Sequence, residues 1–110
     1  MKLAEIAEKL DLTVFSGENN LDKEVTGGYA SDLLSDVMGH AKEGQIWVTL
    51  QTHKNTMGVA SLKDLSAVVL VKGFAPEADT LKLSEIEGIP VLGSDKEAFE
   101  LCGELYKLLG

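Results

Sequence analysis

The stretch "IWVTLQTHKNTMGVASLKDLSAVVLV", residues 46–71, decides the fold. It opens with a short apolar run at 46–50, continues through a helix-like segment at about 55–62, and ends in an unbroken apolar run at 67–71. An apolar run without alternation is typical of a strand that is covered on both faces, as in a parallel sheet. Two such strands joined by a helix form a βαβ unit. The stretch therefore predicts an α/β fold.

The segments on either side extend this pattern. Apolar side chains recur at helical spacing near the N-terminus, and strand-like and helix-like segments alternate after residue 46. The predicted helices cover about 3–10, 33–38, 55–62, 77–87 and 95–108, and the predicted strands cover 13–15, 46–50, 67–71 and 89–92. A further short extended piece is predicted at about 25–26, just before a pair of glycines. We expect one domain, residues 1–110, folded as a three-layer α/β sandwich with a mainly parallel sheet.

Charge and hydropathy limit the classes of partner. Eighteen acidic residues oppose ten lysines, giving a net charge of −8, so the surface should repel nucleic acids. No apolar run approaches the roughly 20 residues of a membrane span, and the N-terminus has no apolar signal core. We therefore expect a cytoplasmic protein that binds neither nucleic acid nor membrane.

The first candidate site is the segment Thr52-His53-Lys54-Asn55, which follows the strand at 46–50. In parallel sheets, ligands bind beyond the carboxyl ends of the strands, near the N–H groups that begin the next helix. The chain has no arginine, and residues 44–63 contain no acidic side chain. The segment is thus either a site for a small anionic metabolite or nucleotide, or simply the start of a helix capped by Asn55 or Thr56.

The second candidate site is the glycine pair Gly27-Gly28, followed by Ser31 and Asp32. Paired glycines permit a tight turn, a strand bulge or close approach of a ligand. They do not form a phosphate loop or a dinucleotide fingerprint, because the other residues of those motifs are missing. We expect this rim and the segment Thr52 to Asn55 to surround one shared hollow at the strand ends.

Metal, cofactor and catalytic chemistry have little support in the sequence. His40 and His53 are thirteen residues apart, and the single cysteine, Cys102, lies in a helical stripe, so no zinc site is predicted. No serine lies in a nucleophile-elbow motif. Asp32 with His53 is the one acid–base pair that an enzyme could use. We therefore expect a binding protein without catalysis, metal or cofactor.

The last helix carries two apolar stripes. Phe99, Cys102, Tyr106 and Leu109 form one, and Leu101, Leu105 and Leu108 form the other. Both stripes can face the core of the domain. Alternatively, Leu101, Leu105 and Leu108 form an interface with a second copy of the chain or with another protein.

Two segments resemble a known family. They are "VTGGYASDLLSDVMG", residues 25–39, and "GQIWVTLQTHKNTMGVASLKDLSAVVLVKG", residues 44–73. Together they resemble the DRTGG domain, which is similar to the N-terminal domain of HPr kinase/phosphorylase and, more distantly, to the uridine-nucleotide-binding domain of muramyl ligases. In place of the Asp-Arg-Thr-Gly-Gly signature, the chain has Thr26-Gly27-Gly28 after Asp22-Lys23, with two residues between.

The resemblance carries implications for function. It implies a free-standing regulatory or interaction module, commonly dimeric and without catalysis of its own. Free-standing relatives resemble companions of iron-only hydrogenase and redox genes in anaerobic bacteria, which implies an adaptor with a protein partner as the alternative role.

Overall fold

A computed structural model describes residues 1–110. Five α-helices and five strands follow one another, with one short 3-10 helix at Glu18–Asn20. The helices are α1 (Leu3–Lys9), α2 (Leu34–His40), α3 (Asn55–Leu62), α4 (Ala78–Glu87) and α5 (Ala98–Leu109). The strands are β1 (Thr13–Ser16), β2 (Gly27–Ala30), β3 (Gln45–Thr49), β4 (Ala67–Leu70) and β5 (Val91–Gly93).

The strands form one sheet in the order β1-β5-β4-β3-β2. Strands β2, β3, β4 and β5 pair in parallel, and β1 pairs antiparallel with β5. The sheet is therefore mainly parallel, as the stretch 46–71 predicts, and β2 is one of its two edges. Because β2, β3, β4 and β5 run the same way, their carboxyl ends meet along one side of the domain.

Helices cover both faces of the sheet. On one face, α1 and α5 pack on Ile46, Val48 and Val69. On the other, α2 and α3 pack on Trp47 and Val68, joined by Leu83 of α4. Alternate residues of one strand thus enter different halves of the core, since side chains alternate across a sheet. The predicted three-layer α/β sandwich is confirmed.

Trp47 joins the core to the carboxyl end of β2. Its side chain is fully buried, and its indole N–H donates to the carbonyl oxygen of Ser31 at 2.8 Å. Ser31 directly follows β2. The bond satisfies a polar group that burial would otherwise penalise, and it fixes the position at which the chain leaves β2.

The glycine pair lies inside β2, and the predicted turn or bulge is wrong. Gly27 and Gly28 pair in regular register with Gln45 and Ile46. A Cβ atom at Gly28 would lie 3.1 Å from Leu105 Cδ2, so the missing side chain lets α5 approach the sheet. Packing of this helix, rather than a special backbone conformation, accounts for the glycine at position 28.

A hydrogen bond between Tyr29 and Asp36 ties α2 to β2. The phenol donates to Asp36 Oδ2 at 2.9 Å, which raises the pKa of Tyr29 and lowers the pKa of Asp36. Because the folded-state pKa of Asp36 lies below its unfolded value, the contact stabilises the fold at neutral pH. That contribution is lost as the pH falls through the folded-state pKa.

Replacing Asp36 with asparagine is therefore expected to lower the pKa of Tyr29 toward its ordinary value. The measurement is a phenolate absorbance titration in a Tyr106→Phe background, where Tyr29 is the remaining tyrosine. The Tyr106→Phe variant with Asp36 intact is the control. If Asp36→Asn leaves the Tyr29 titration unchanged, the bond does not form in solution.

No helix of the structure combines the length and the apolar character that crossing a membrane requires.

Candidate functional site

Asp32 organises the rim at the carboxyl ends of β2 and β3. Its Oδ1 atom accepts hydrogen bonds from the Thr49 hydroxyl at 2.7 Å and from the Leu50 N–H at 2.8 Å. Its backbone carbonyl accepts from Gln51 Nε2 at 2.7 Å. These bonds hold the loop after β3 against the loop after β2. The structure thus places Asp32 at the rim that follows β3, with its carboxylate engaged by the protein.

The segment Thr52 to Asn55 is held through its carbonyl groups. The Thr52 carbonyl accepts from the Thr80 hydroxyl at 2.8 Å and from the Glu77 N–H at 3.1 Å. The His53 carbonyl accepts from both the N–H and the hydroxyl of Thr56. The segment is therefore fixed to α3 and to the start of α4, with its acceptors already used.

The N–H groups of the same segment have no partners. Those of Thr52, His53, Lys54 and Asn55 donate no hydrogen bond within the chain. Lys54 stands at the N-cap position of α3, and no side chain caps the helix. The interpretation that Asn55 or Thr56 caps it is thus wrong, because Thr56 lies inside the helix and bonds back to His53. Four consecutive donors remain free at the positive end of the helix dipole.

The side chains near these donors include a positive charge, a neutral amide and one nearby carboxylate. Lys54 and Asn55 are exposed, and residues 44–63 include no carboxylate. The Thr52 hydroxyl faces Glu77 Oε2 at 3.4 Å, so one acid approaches from α4. His53 Nδ1 is shielded from solvent and has no hydrogen-bond partner. A buried polar atom without a partner costs about 1–3 kcal/mol.

The glycine pair lies at the other end of the sheet. Gly27 pairs with Gln45, the first residue of β3, whereas Thr52 follows the last residue of that strand, Thr49. At about 3.3 Å per residue, the length of β3 alone separates the two by roughly 13 Å. The expectation of one shared hollow around both segments is wrong. The sequence predicts an extended piece ahead of the glycine pair, whereas β2 begins at Gly27 itself.

A cavity lies beside the glycine pair. It opens between β2 and α5, has a volume of about 400 Å³, and is mostly apolar. Its lining includes Gly28, Ala30, Cys102, Leu105, Tyr106 and Leu109. Burial raises the pKa of the Cys102 thiol, so the group is neutral at physiological pH. We call this cavity the α5 groove.

The fold is similar to that of a regulatory protein of known structure. That structure contains the CBS and DRTGG domains of the regulatory region of Clostridium perfringens pyrophosphatase, complexed with the activator diadenosine tetraphosphate. The TM-score is 0.69 over 94% of this chain and 45% of that one, at 14% sequence identity.

The chain has a DRTGG-like fold. The resemblance seen in the sequence is thereby confirmed at the level of the fold. This chain corresponds to less than half the length of the pyrophosphatase region. The sequence matches no protein-family model and no curated protein.

In this DRTGG-like chain, α5 buries the apolar stripe that the sequence assigns to an interface and exposes part of the other stripe. Leu101 and Leu105 are buried in the chain's own core, and Leu108 packs partly against it. Phe99 is 91% exposed and Tyr106 is 75% exposed. The prediction that Leu101 and Leu105 form an intermolecular interface is wrong. The spacing of the two stripes is nearly identical, so the sequence could not tell which one faces the sheet.

The acid–base pair Asp32 with His53 is not assembled in this DRTGG-like fold. No hydrogen bond joins Asp32 to His53, because the Asp32 carboxylate instead holds Thr49 and Leu50. No group of three or more His, Cys, Asp and Glu side chains is arranged to hold a metal ion. The free N–H groups at the start of α3 can donate hydrogen bonds to an anion.

Proposed function

We propose that the chain is a non-catalytic regulatory module that binds a small anionic metabolite or nucleotide at the start of α3 and acts as a homodimer. The observation that carries the binding proposal is the run of four unpaired N–H groups from Thr52 to Asn55. The DRTGG-like fold adds support, because the similar pyrophosphatase region is complexed with a nucleotide activator.

The chemistry of the rim suits a phosphate group. Consecutive N–H groups at a helix N-terminus donate to anionic oxygens, and the helix dipole favours negative charge there. Lys54 adds a positive charge, which matters in a chain without arginine. Asp32 would act indirectly, by fixing the loop through Thr49 and Leu50. Gly27 and Gly28 have no part in this proposal, since they lie at the opposite end of β2.

The proposed function predicts an anion-dependent rise in stability. Thermal unfolding would be followed with inorganic phosphate, pyrophosphate, adenosine monophosphate, adenosine triphosphate and diadenosine tetraphosphate at constant ionic strength. An anion at 100 times its dissociation constant should stabilise the fold by about 2.7 kcal/mol. Lys54→Ala should remove most of this gain. Lys63→Ala is the matched control, because Lys63 lies at the far end of α3 and should leave the gain intact.

The result that contradicts anion sensing is the absence of any stabilisation, or equal stabilisation of the Lys54→Ala variant and the parent. In that case the adaptor role gains weight, since the exposed Phe99 and Tyr106 offer a surface for a protein partner.

A further inference from the structure

The outer face of α5 is apolar along its whole length. Phe99, Gly103, Tyr106 and Gly110 follow one another at spacings of four, three and four residues, which aligns them on one side of a helix. We call this line the outer stripe. It lies opposite the buried Leu101 and Leu105. Two aromatic side chains exposed on one short helix are typical of a surface that another molecule covers.

Gly103 stands in the middle of the outer stripe. A Cβ atom added there would meet nothing within 4 Å. A glycine in a helix interior destabilises it by roughly 0.5–1 kcal/mol relative to alanine, and no contact within this chain requires it. A small residue at this point would let a second helix approach α5 closely.

An antiparallel copy of α5 fits the outer stripe. In such a pair, the first turn of one helix lies beside the last turn of the other. Phe99 occupies the first turn, and the α5 groove opens beside Tyr106, Leu109 and Gly110 in the last. The most exposed large apolar side chain of the chain would therefore enter the cavity of about 400 Å³ of a second copy, and the reverse. Phe99 and part of the lining of the α5 groove both belong to α5, so the surface is self-complementary.

The charges beside the outer stripe also match an antiparallel copy. Glu100 and Lys107 are both exposed, lie seven residues apart on the same flank of the stripe, and form no ion pair within the chain. Two-fold symmetry with antiparallel helices brings Glu100 of each copy beside Lys107 of the other. In a parallel pair, this flank of one helix would lie on the opposite side of the interface from the same flank of the other, so the two charges would not meet.

We propose that two copies of the chain associate through antiparallel α5 helices, with Phe99 of each copy in the α5 groove of the other. This inference rests on the homodimer of the proposed function and names its interface. The occupant of the groove is thus a second copy, rather than a small ligand.

A charge exchange tests the arrangement by sedimentation equilibrium over a range of protein concentrations. Glu100→Lys should weaken self-association by about tenfold, because two attractive pairs become repulsive. The double variant Glu100→Lys with Lys107→Glu should restore the parent affinity, since the opposite charges meet again. A double variant as weak as the single one would overturn the antiparallel pairing.

An aromatic truncation tests the groove. Phe99→Ser should weaken self-association by at least about 100-fold, because each dimer loses two buried aromatic anchors. Ile86→Ser is the control, since Ile86 is an exposed apolar residue of α4 at 75% exposure and should leave the association unchanged. Equal affinity of the Phe99→Ser variant and the parent would reject the inference, as would a parent chain that stays monomeric at high micromolar concentration.

Gly103→Ala separates folding from association. It should raise the thermal stability of the isolated chain, because alanine favours a helix, and yet weaken self-association, because the added methyl group holds the helices apart. Gly58→Ala in α3 also adds a methyl group in open space, so it should raise stability without affecting association. Unchanged or tighter association of Gly103→Ala would contradict close helix contact.

Failure of this inference and failure of anion sensing can be distinguished. A chain that stays monomeric, or dimerises independently of Phe99, but is stabilised by an anion through Lys54 rejects the α5 interface and leaves sensing intact. A Phe99-dependent dimer that no anion stabilises rejects sensing and supports the α5 interface.

Discussion

Replacing Trp47 with alanine is expected to lower the free energy of unfolding by about 3–5 kcal/mol. The side chain is fully buried between the sheet and the layer of α2 and α3. Its removal leaves a cavity and also strips the Ser31 carbonyl of the indole donor. Domains of this size are stable by only about 5–15 kcal/mol, so the variant loses a large share of its stability.

Circular dichroism during denaturant unfolding measures this loss, because the substitution removes the only tryptophan of the chain and with it the fluorescence signal. Trp47→Phe is the matched variant. It retains an aromatic ring but no donor, and its loss should be smaller than that of Trp47→Ala. A loss below about 1 kcal/mol for Trp47→Ala would mean that Trp47 is not a core residue, since such small effects are typical of surface sites.

Gly17→Ala is expected to lower the free energy of unfolding by about 2–4 kcal/mol, the sum of backbone strain and overpacking. Gly17 follows β1 with a φ of +81°, in the left-handed region that side chains rarely adopt. A Cβ atom there would lie 2.6 Å from Pro90 Cα, a backbone atom at the entry to β5. The edge pair β1 and β5 would have to shift to make room.

The control is a glycine-to-alanine substitution at a position where the added methyl group meets no other atom. Gly39 lies in α2 with open space around it, so Gly39→Ala should raise stability by up to about 1 kcal/mol. Denaturant unfolding of both variants gives the comparison. Equal effects of the two substitutions would contradict the close approach of Gly17 to Pro90.

The layers of the fold could be predicted from the sequence because they follow local patterns. The unbroken apolar run of β4 is buried at every position, and α3 spans residues 55–62 as predicted. Helical and strand periodicities are properties of neighbouring residues, so one sequence is enough to detect them. The carboxyl-end rim with Thr52, Lys54 and Asn55 followed from the predicted parallel sheet in the same way.

The wrong predictions concern features of α5 and β2 that depend on contacts between residues far apart in the chain. The rotation of α5 decides whether Leu105 or Tyr106 is buried, and both residues belong to apolar stripes. The same helix explains the glycine inside β2, since Leu105 Cδ2 lies 3.1 Å from where a Cβ atom of residue 28 would stand. Both features depend on residues about 75 positions apart in the chain, which no local pattern records. The predicted N-cap of α3 is also wrong, because Thr56 bonds back to His53 from inside the helix.

An anion titration followed by backbone amide NMR tests most directly whether the start of α3 is the binding site. The proposal predicts chemical-shift changes concentrated in the amides of Thr52, His53, Lys54 and Asn55, with saturation at higher anion concentration and weaker binding in the Lys54→Ala variant. Saturating changes centred instead on Gly27, Gly28 and the α5 groove, or no saturating change at any amide, would contradict it.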